Sequence, residues 1–112
     1  IVFCRDFPSF TSPFWNMRRK NKDYAEKIDV IMYGNETIGS AERSTNPDEM
    51  REEFYTISGG GYAKLLFDLF GKERVEKELD EFLALKFFPR SGGGIGMTRM
   101  IMAVKKLRGE SV

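Results

Sequence analysis

The sequence predicts an α+β fold, an antiparallel β-sheet flanked by helices, from three observations. Two β-rich runs, Ile28–Tyr33 and Glu36–Glu42, are separated only by Gly34-Asn35, a dipeptide suited to a two-residue hairpin turn. Apolar stripes at helical spacing follow them between residues 47 and 83. Finally, Ser91-Gly92-Gly93-Gly94-Ile95-Gly96-Met97-Thr98-Arg99 alternates glycine with apolar residues before helical spacing resumes at Met100-Ile101-Met102-Ala103-Val104, so a strand runs straight into a helix.

In chain order, residues 1 to 7 are β-branched and aromatic enough for a strand that Pro8 ends. Ser9–Pro13 reads as a connection, and Phe14-Trp15-Asn16-Met17 as a second short strand whose aromatics belong to the core. The basic run Arg18-Arg19-Lys20-Asn21-Lys22 reads as a solvated loop. In the hairpin, a tight Gly34-Asn35 turn sets Tyr33 opposite Glu36 and Asp29 opposite Ser40, so that Asp29, Ile31, Tyr33, Glu36, Ile38 and Ser40 share one face. Two carboxylates on so apolar a face are costly unless paired or bound to a cation, which marks them as candidates for function.

Asn46-Pro47-Asp48-Glu49 starts a helix that runs to about Ile57, with Asn46 as cap, Pro47 at the first helical position and Glu49 where a capping box places it. Ser58-Gly59-Gly60-Gly61 breaks it. Tyr62, Leu65, Leu66, Leu69 and Phe70 form the stripe of a second helix stopping at Gly71, and Val75, Leu79, Phe82 and Leu83 that of a third, before Pro89.

The last strand places Gly92, Gly94 and Gly96 on one face and Gly93, Ile95 and Met97 on the other. A face of bare backbone marks a place where a flat ligand or another chain comes close. Arg99 falls at the start of the following helix, where amide N–H groups, the helix dipole and a guanidinium all favour an anion. The dinucleotide fingerprint would need glycine where Met97 or Arg99 stands, and a P-loop would need Gly-Lys-Ser/Thr, so neither applies.

Composition narrows the chemistry. The chain has 112 residues, with 31% charged and a formal net charge of +1, without the excess of a stand-alone nucleic-acid binder. Its one cysteine, Cys4, excludes an internal disulfide and a Cys-only metal site, and reads as a buried thiol in a reducing compartment. The absence of histidine removes Ser-His-Asp and Cys-His catalysis and the usual zinc sites, leaving carboxylates, arginines and backbone. No run has the length of a transmembrane span, so a cytoplasmic protein without a membrane partner is expected. Ile1 starts what reads as mid-strand, and the sequence is expected to be a piece of a longer chain.

Three segments, in this order, resemble the class II aminoacyl-tRNA synthetases, specifically the aspartyl and asparaginyl group. Asp6-Phe7-Pro8 with Pro13-Phe14-Trp15-Asn16-Met17 is similar to the strand and Pro-aromatic segment of that group. Asp29, with Glu36 seven residues on in Glu36-Thr37-Ile38-Gly39-Ser40-Ala41-Glu42-Arg43, resembles its metal-and-substrate strand pair. Residues 91 to 104 resemble motif 3, glycines along a strand and then an arginine on a helix.

The resemblance implies that residues 1–112 are the C-terminal half of a class II synthetase catalytic domain, with motif 3 at 91–104, the metal and substrate hairpin at 28–43 and a helical insert at 46–87. It implies ATP and Mg2+ as cofactors and formation of an aminoacyl adenylate, followed by charging of tRNA with aspartate or asparagine. Arg99 would act on ATP with Gly92, Gly94, Gly96 and Glu36; Asp29 and Glu36 would hold metal; Arg43, Gly39 and Ser40 would bind the amino acid. Such a reaction runs on positioning and charge neutralisation, in agreement with a histidine-free composition. On the hairpin expected above, however, Asp29 and Glu36 stand about four residues apart, roughly 13 Å at strand rise, too far for one ion.

Motif 1, which builds the homodimer, motif 2, whose arginine holds the α-phosphate, and the anticodon-binding barrel are not in this chain, so the chain alone is expected to be inactive. Glu42, Thr98 and Arg90 stand where Gln, an acidic residue and His are more usual. Two alternatives follow: an asparagine synthetase-like paralogue that passes an aspartyl adenylate to ammonia, and a non-catalytic synthetase-like module. Substitutions at Asp29, Glu36, Arg43 or Arg99 would favour the module, and all four are present.

Overall fold

The computed structural model describes residues 1–111. Four strands, β1 (Val2–Pro8), β2 (Tyr24–Met32), β3 (Asn35–Arg43) and β4 (Arg90–Ile95), form one sheet in the order β1-β2-β3-β4, every pair antiparallel. Between β3 and β4 lie the helices α1 (Pro47–Thr56), α2 (Gly61–Phe70) and α3 (Lys72–Leu83); α4 (Met97–Leu107) follows β4. The α+β class with an antiparallel sheet is therefore the observed one.

The hydrophobic core lies among the helices. Met50 and Phe54 of α1, Ala63 of α2 and Val75, Leu79 and Leu83 of α3 are buried together, with Trp15, Leu66, Phe67 and Phe82 packed against them. At the start of α1 the Asn46 side chain accepts from the backbone N–H groups of Asp48 and Glu49, and Pro47 occupies the first turn, as expected. Glu49 does not close a capping box, however: Ser44 intervenes, its hydroxyl donating to Glu49 Oε2 at 3.3 Å and accepting from the Asn46 N–H at 3.2 Å. The α3 stripe is also as expected. On α2 the inward residues are Ala63, Leu66 and Phe67 with Tyr62, while Leu65, Leu69 and Phe70 are exposed. The helix is apolar nearly all round, so its sequence alone does not select the buried face.

Phe14–Met17 is not a strand. Pro13 is buried and the Met17 N–H donates to the Phe14 carbonyl at 3.0 Å, which turns the chain. Trp15 thereby enters the helical core, edge-on to Phe54 and Phe82 at centroid distances of 5.7 and 5.6 Å. The aromatic character of the segment serves packing in that helical core rather than sheet pairing. Nor is the basic run a free loop: Arg18 pairs with Glu42, the nearly buried Arg19 with Glu53, and Lys20 with Asp6 at 2.8 Å. The hydrogen bond from Lys20 holds the Asp6 carboxyl below its usual range and raises the Lys20 ammonium in turn. These pairs tie the loop to three elements remote in sequence, which local charge patterning does not reveal.

The hairpin turns one residue earlier than expected. Tyr33 and Gly34 carry the positive φ angles, 50° and 78°, and Met32 pairs with Asn35, whose side-chain amide donates to the Tyr33 carbonyl at 3.2 Å. A type I′ turn favours glycine at its second central position, and Gly34 fills that place. Ile31 then pairs with Glu36 and Val30 with Ile38, leaving Thr37 as the extra residue of a β-bulge. The buried Thr37 hydroxyl donates to the Val30 carbonyl at 3.0 Å, and its own carbonyl accepts from the Gly96 N–H at 2.8 Å.

Candidate functional site

The bulge decides which side chains meet. Asp29, Ile31 and Glu36 share a face as expected, because Glu36 is paired with Ile31. Beyond Thr37 the phase of β3 is inverted, so Gly39 rather than Ser40 stands opposite Asp29. Ser40, opposite Ile28, faces the other way with Ile38, and its hydroxyl donates to the Ile28 carbonyl at 3.2 Å. Tyr33 lies in the turn.

Glu36 now stands two residues from Asp29 along the face, roughly 7 Å at strand rise, rather than four. A Cβ built on Gly39 would lie 3.1 Å from Glu36 Oε1 and 3.4 Å from Asp29 Oδ1. The two oxygens flank one small space that the missing side chain leaves open. Two carboxylates around such a cradle suit a hard divalent cation that takes its remaining ligands from water or phosphate. Among the described residues no group of three or more His, Cys, Asp or Glu side chains forms a fuller cage.

The row continues across the sheet, since Cys4, exposed on the edge strand rather than buried as expected, pairs with Asp29, Gly39 with Gly94 and Ala41 with Gly92. The glycines of β4 have different reasons. A Cβ on Gly94 would meet nothing within 4 Å, so this surface is open to a ligand. A Cβ on Gly93 would lie 2.4 Å from the Gly39 carbonyl, so that glycine is required by the approach of β3. At Gly96, the N-cap of α4, a Cβ would lie 2.8 Å from Arg99 Nε, so bare backbone there lets the guanidinium fold back against the helix start. Glu36, Thr37, Gly39, Gly94, Ile95, Gly96 and Arg99 together line a hollow of about 340 Å³. An apolar hollow of about 360 Å³ beside α4, between Ile1, Met32, Tyr33, Ala103, Val104 and Leu107, has no carboxylate or guanidinium in its walls.

Arg43, last residue of β3, lies over Gly92: its Nη2 donates to the Gly92 carbonyl at 3.4 Å and its Nη1 to Asn16 Oδ1 at 3.3 Å. Among the described residues neither Arg43 nor Arg99 has a carboxylate partner within 4.0 Å, whereas Arg18, Arg19 and Arg51 each do. Glu42 is held by Arg18 at 2.5 Å, and Arg90 donates to the Ser44 carbonyl at 3.2 Å over the Phe87 ring.

Two residues of the site escape the sequence reading. Lys27, two residues before Asp29 and therefore on its face, gives its ammonium to Asp29 Oδ1; the period-two spacing was a signal that could have found it. Asn16, which anchors Arg43, has no local signal, being brought there by the turn that buries Trp15.

Comparison with known proteins adds a family. The family described as tRNA synthetases class II (D, K and N) matches residues 1–109. The lysine–tRNA ligase of Azobacteroides pseudotrichonymphae is 26% identical over 108 residues, which cover 94% of this chain and 20% of that protein. A putative aspartyl-tRNA synthetase from Leishmania major is 27% identical with a TM-score of 0.64, covering 94% of this chain and 19% of the other. The asparaginyl-tRNA synthetase of Entamoeba histolytica, solved with asparaginyl-adenylate, shares the fold at 21% identity and a TM-score of 0.64, over 91% of this chain and 21% of its own. This chain thus spans about a fifth of the length of the relatives it matches.

Proposed function

Since the chain belongs to the class II tRNA synthetases (D, K and N), we propose that it is the C-terminal part of a catalytic core that activates aspartate or asparagine with ATP, in the cytoplasm, for transfer to tRNA. In this reading residues 1–112 are one partial catalytic domain, in which the hairpin 28–43 and the motif 3 segment 91–104 build the site and residues 46–87 form a helical insert. The observation that carries it is the hollow in which Glu36, Gly39, Gly94, Gly96 and Arg99 meet.

Each residue has a role that its chemistry supports. Gly92 and Gly94 offer a flat backbone face to adenine, and Gly96 allows Arg99 to present its guanidinium to the nucleotide from the first turn of α4. Asp29 and Glu36, whose carboxylate oxygens flank the space over Gly39, would hold Mg2+. That ion, when bound, screens phosphate charge so that a carboxylate can approach. Arg43, its guanidinium held at the Gly92 carbonyl on the face of β3 that carries Gly39, would meet the amino-acid side chain, and Ser40 supports the same strand from the opposite side.

Arg43 also bears on which amino acid enters. The curated relative named above is a lysine–tRNA ligase. A guanidinium without an acidic partner attracts a carboxylate or an amide oxygen and repels an ammonium, so Arg43 favours aspartate or asparagine over lysine.

The test is amino-acid-dependent exchange of pyrophosphate into ATP by the full-length protein, with aspartate, asparagine and lysine in separate reactions. Exchange is expected with aspartate or asparagine, and Arg99→Ala is expected to lower it by about 10²–10³-fold, the scale for losing one preorganised charge-stabilising group. Exchange with lysine alone would overturn the assignment from Arg43, and no exchange with any of the three would overturn the enzymatic reading. Adding tRNA or ammonia to the active reaction identifies the acceptor.

A further inference from the structure

The ammonium of Lys27 is bonded to Asp29 Oδ1, the same oxygen that flanks the space over Gly39 together with Glu36 Oε1. Both side chains are shielded, Lys27 at 20% and Asp29 at 8% exposure. A second contact fixes the ammonium, which stands 3.8 Å from the centroid of the Phe7 ring on the neighbouring strand. Lys27 is therefore held beside the carboxylate pair from two directions.

We propose that Lys27 is a built-in counter-cation of the Asp29–Glu36 pair that keeps its affinity for free divalent cation low, so that metal is retained only together with a polyphosphate. The inference rests on the reading of that pair as a metal site. Lys27 cancels one of the two carboxylate charges, and a dication over Gly39 would stand within a few ångström of an ammonium in a partly screened environment. Two carboxylates are also few ligands for Mg2+, which commonly completes its shell with substrate phosphates. The polyphosphate brings the negative charge that Lys27 has removed, so nucleotide and metal arrive as one ligand.

The probe is Mn2+ alone, titrated into the full-length protein and followed by the electron paramagnetic resonance of the free ion. Lys27→Met is expected to tighten Mn2+ binding in the absence of nucleotide by at least about tenfold, and Lys27→Arg to stay within about threefold of the parent, as charge removal near a dication requires. Lys27→Gln, which keeps a hydrogen-bond donor without the charge, should behave as Lys27→Met and serves if the latter does not fold. Adding Glu36→Gln to Lys27→Met should reverse the gain. If Lys27→Met and Lys27→Gln bind Mn2+ no more tightly than the parent, while Glu36→Gln weakens Mn2+ binding in the presence of ATP, the role of Lys27 is refuted and the metal site stands. If Asp29→Asn and Glu36→Gln both leave Mn2+ binding with ATP unchanged, the metal reading itself fails and takes this inference with it.

Discussion

Asp29 and Glu36, on opposite strands of one hairpin, direct Oδ1 and Oε1 to within 3.4 and 3.1 Å of the point where Gly39 would carry a Cβ. The convergence depends on the Thr37 bulge, which inverts β3 between Glu36 and Gly39 and puts all three residues on one side of the sheet. Without the extra residue, positions 36 and 39 would face opposite ways.

A methyl group at Gly39 should therefore act on the ligand and spare the fold. Gly39 has ordinary strand dihedrals, so Gly39→Ala is expected to change stability by no more than about 1 kcal/mol, the scale of the glycine-to-alanine entropy difference. It should weaken MgATP binding by about tenfold or more, because the methyl occupies the space between the carboxylates. A thermal melt and a calorimetric ATP titration decide it; unchanged affinity would mean that the space over Gly39 holds no ligand.

Gly93 and Gly94 should part company under the same substitution. Gly93→Ala drives a Cβ to 2.4 Å from the Gly39 carbonyl and 2.8 Å from Ser40 Cβ, so the β3–β4 pairing must shift, at a cost on the order of 3 kcal/mol. Gly94→Ala meets nothing within 4 Å and should leave stability unchanged while lowering nucleotide affinity. Urea denaturation of the two variants measures the contrast, and equal stabilities would contradict the strand register.

Alkaline pH should find a late tyrosine. Burial, then the hydrogen bond that the Tyr55 hydroxyl donates to Glu76 at 3.0 Å, raises its pKa above the usual 10.0. A raised folded-state value means that the protonated form is favoured on folding, so this contribution to stability is complete below pH 10 and is lost as pH rises through the folded value. In an ultraviolet difference titration Tyr55→Phe should remove the latest-titrating step, and its persistence in the variant would assign that step to another tyrosine.

Much of this arrangement is legible in the sequence. Period-two alternation put Asp29, Ile31 and Glu36 on one face, and the change from alternation to helical spacing placed Arg99 in the first turn of α4. The cap at Asn46 and the stripe Val75, Leu79, Phe82 and Leu83 were equally readable. Less legible was Phe14–Met17, whose aromatics suit a strand or a core wedge and which a turn sent to the helices. The ion pairs of Arg18, Arg19 and Lys20 join positions 14 to 34 residues apart along the chain, beyond any local pattern.

What the sequence determined alone is therefore the order of elements, the bare glycine strand leading into an arginine-bearing helix, and the inventory of carboxylates and guanidiniums, because these follow from local spacing and side-chain chemistry. What only the tertiary structure decided is their meeting. A turn centred on Tyr33 and Gly34 and an extra residue at Thr37 closed an expected gap of roughly 13 Å between the carboxylates. Lys27 and Asn16 joined the site through a strand face and the turn that carries Trp15 to the helices. Register is the physical reason: a single inserted residue exchanges the faces of everything beyond it, and the bulge at Thr37 is held by bonds to Val30 and Gly96, residues that lie outside its own strand.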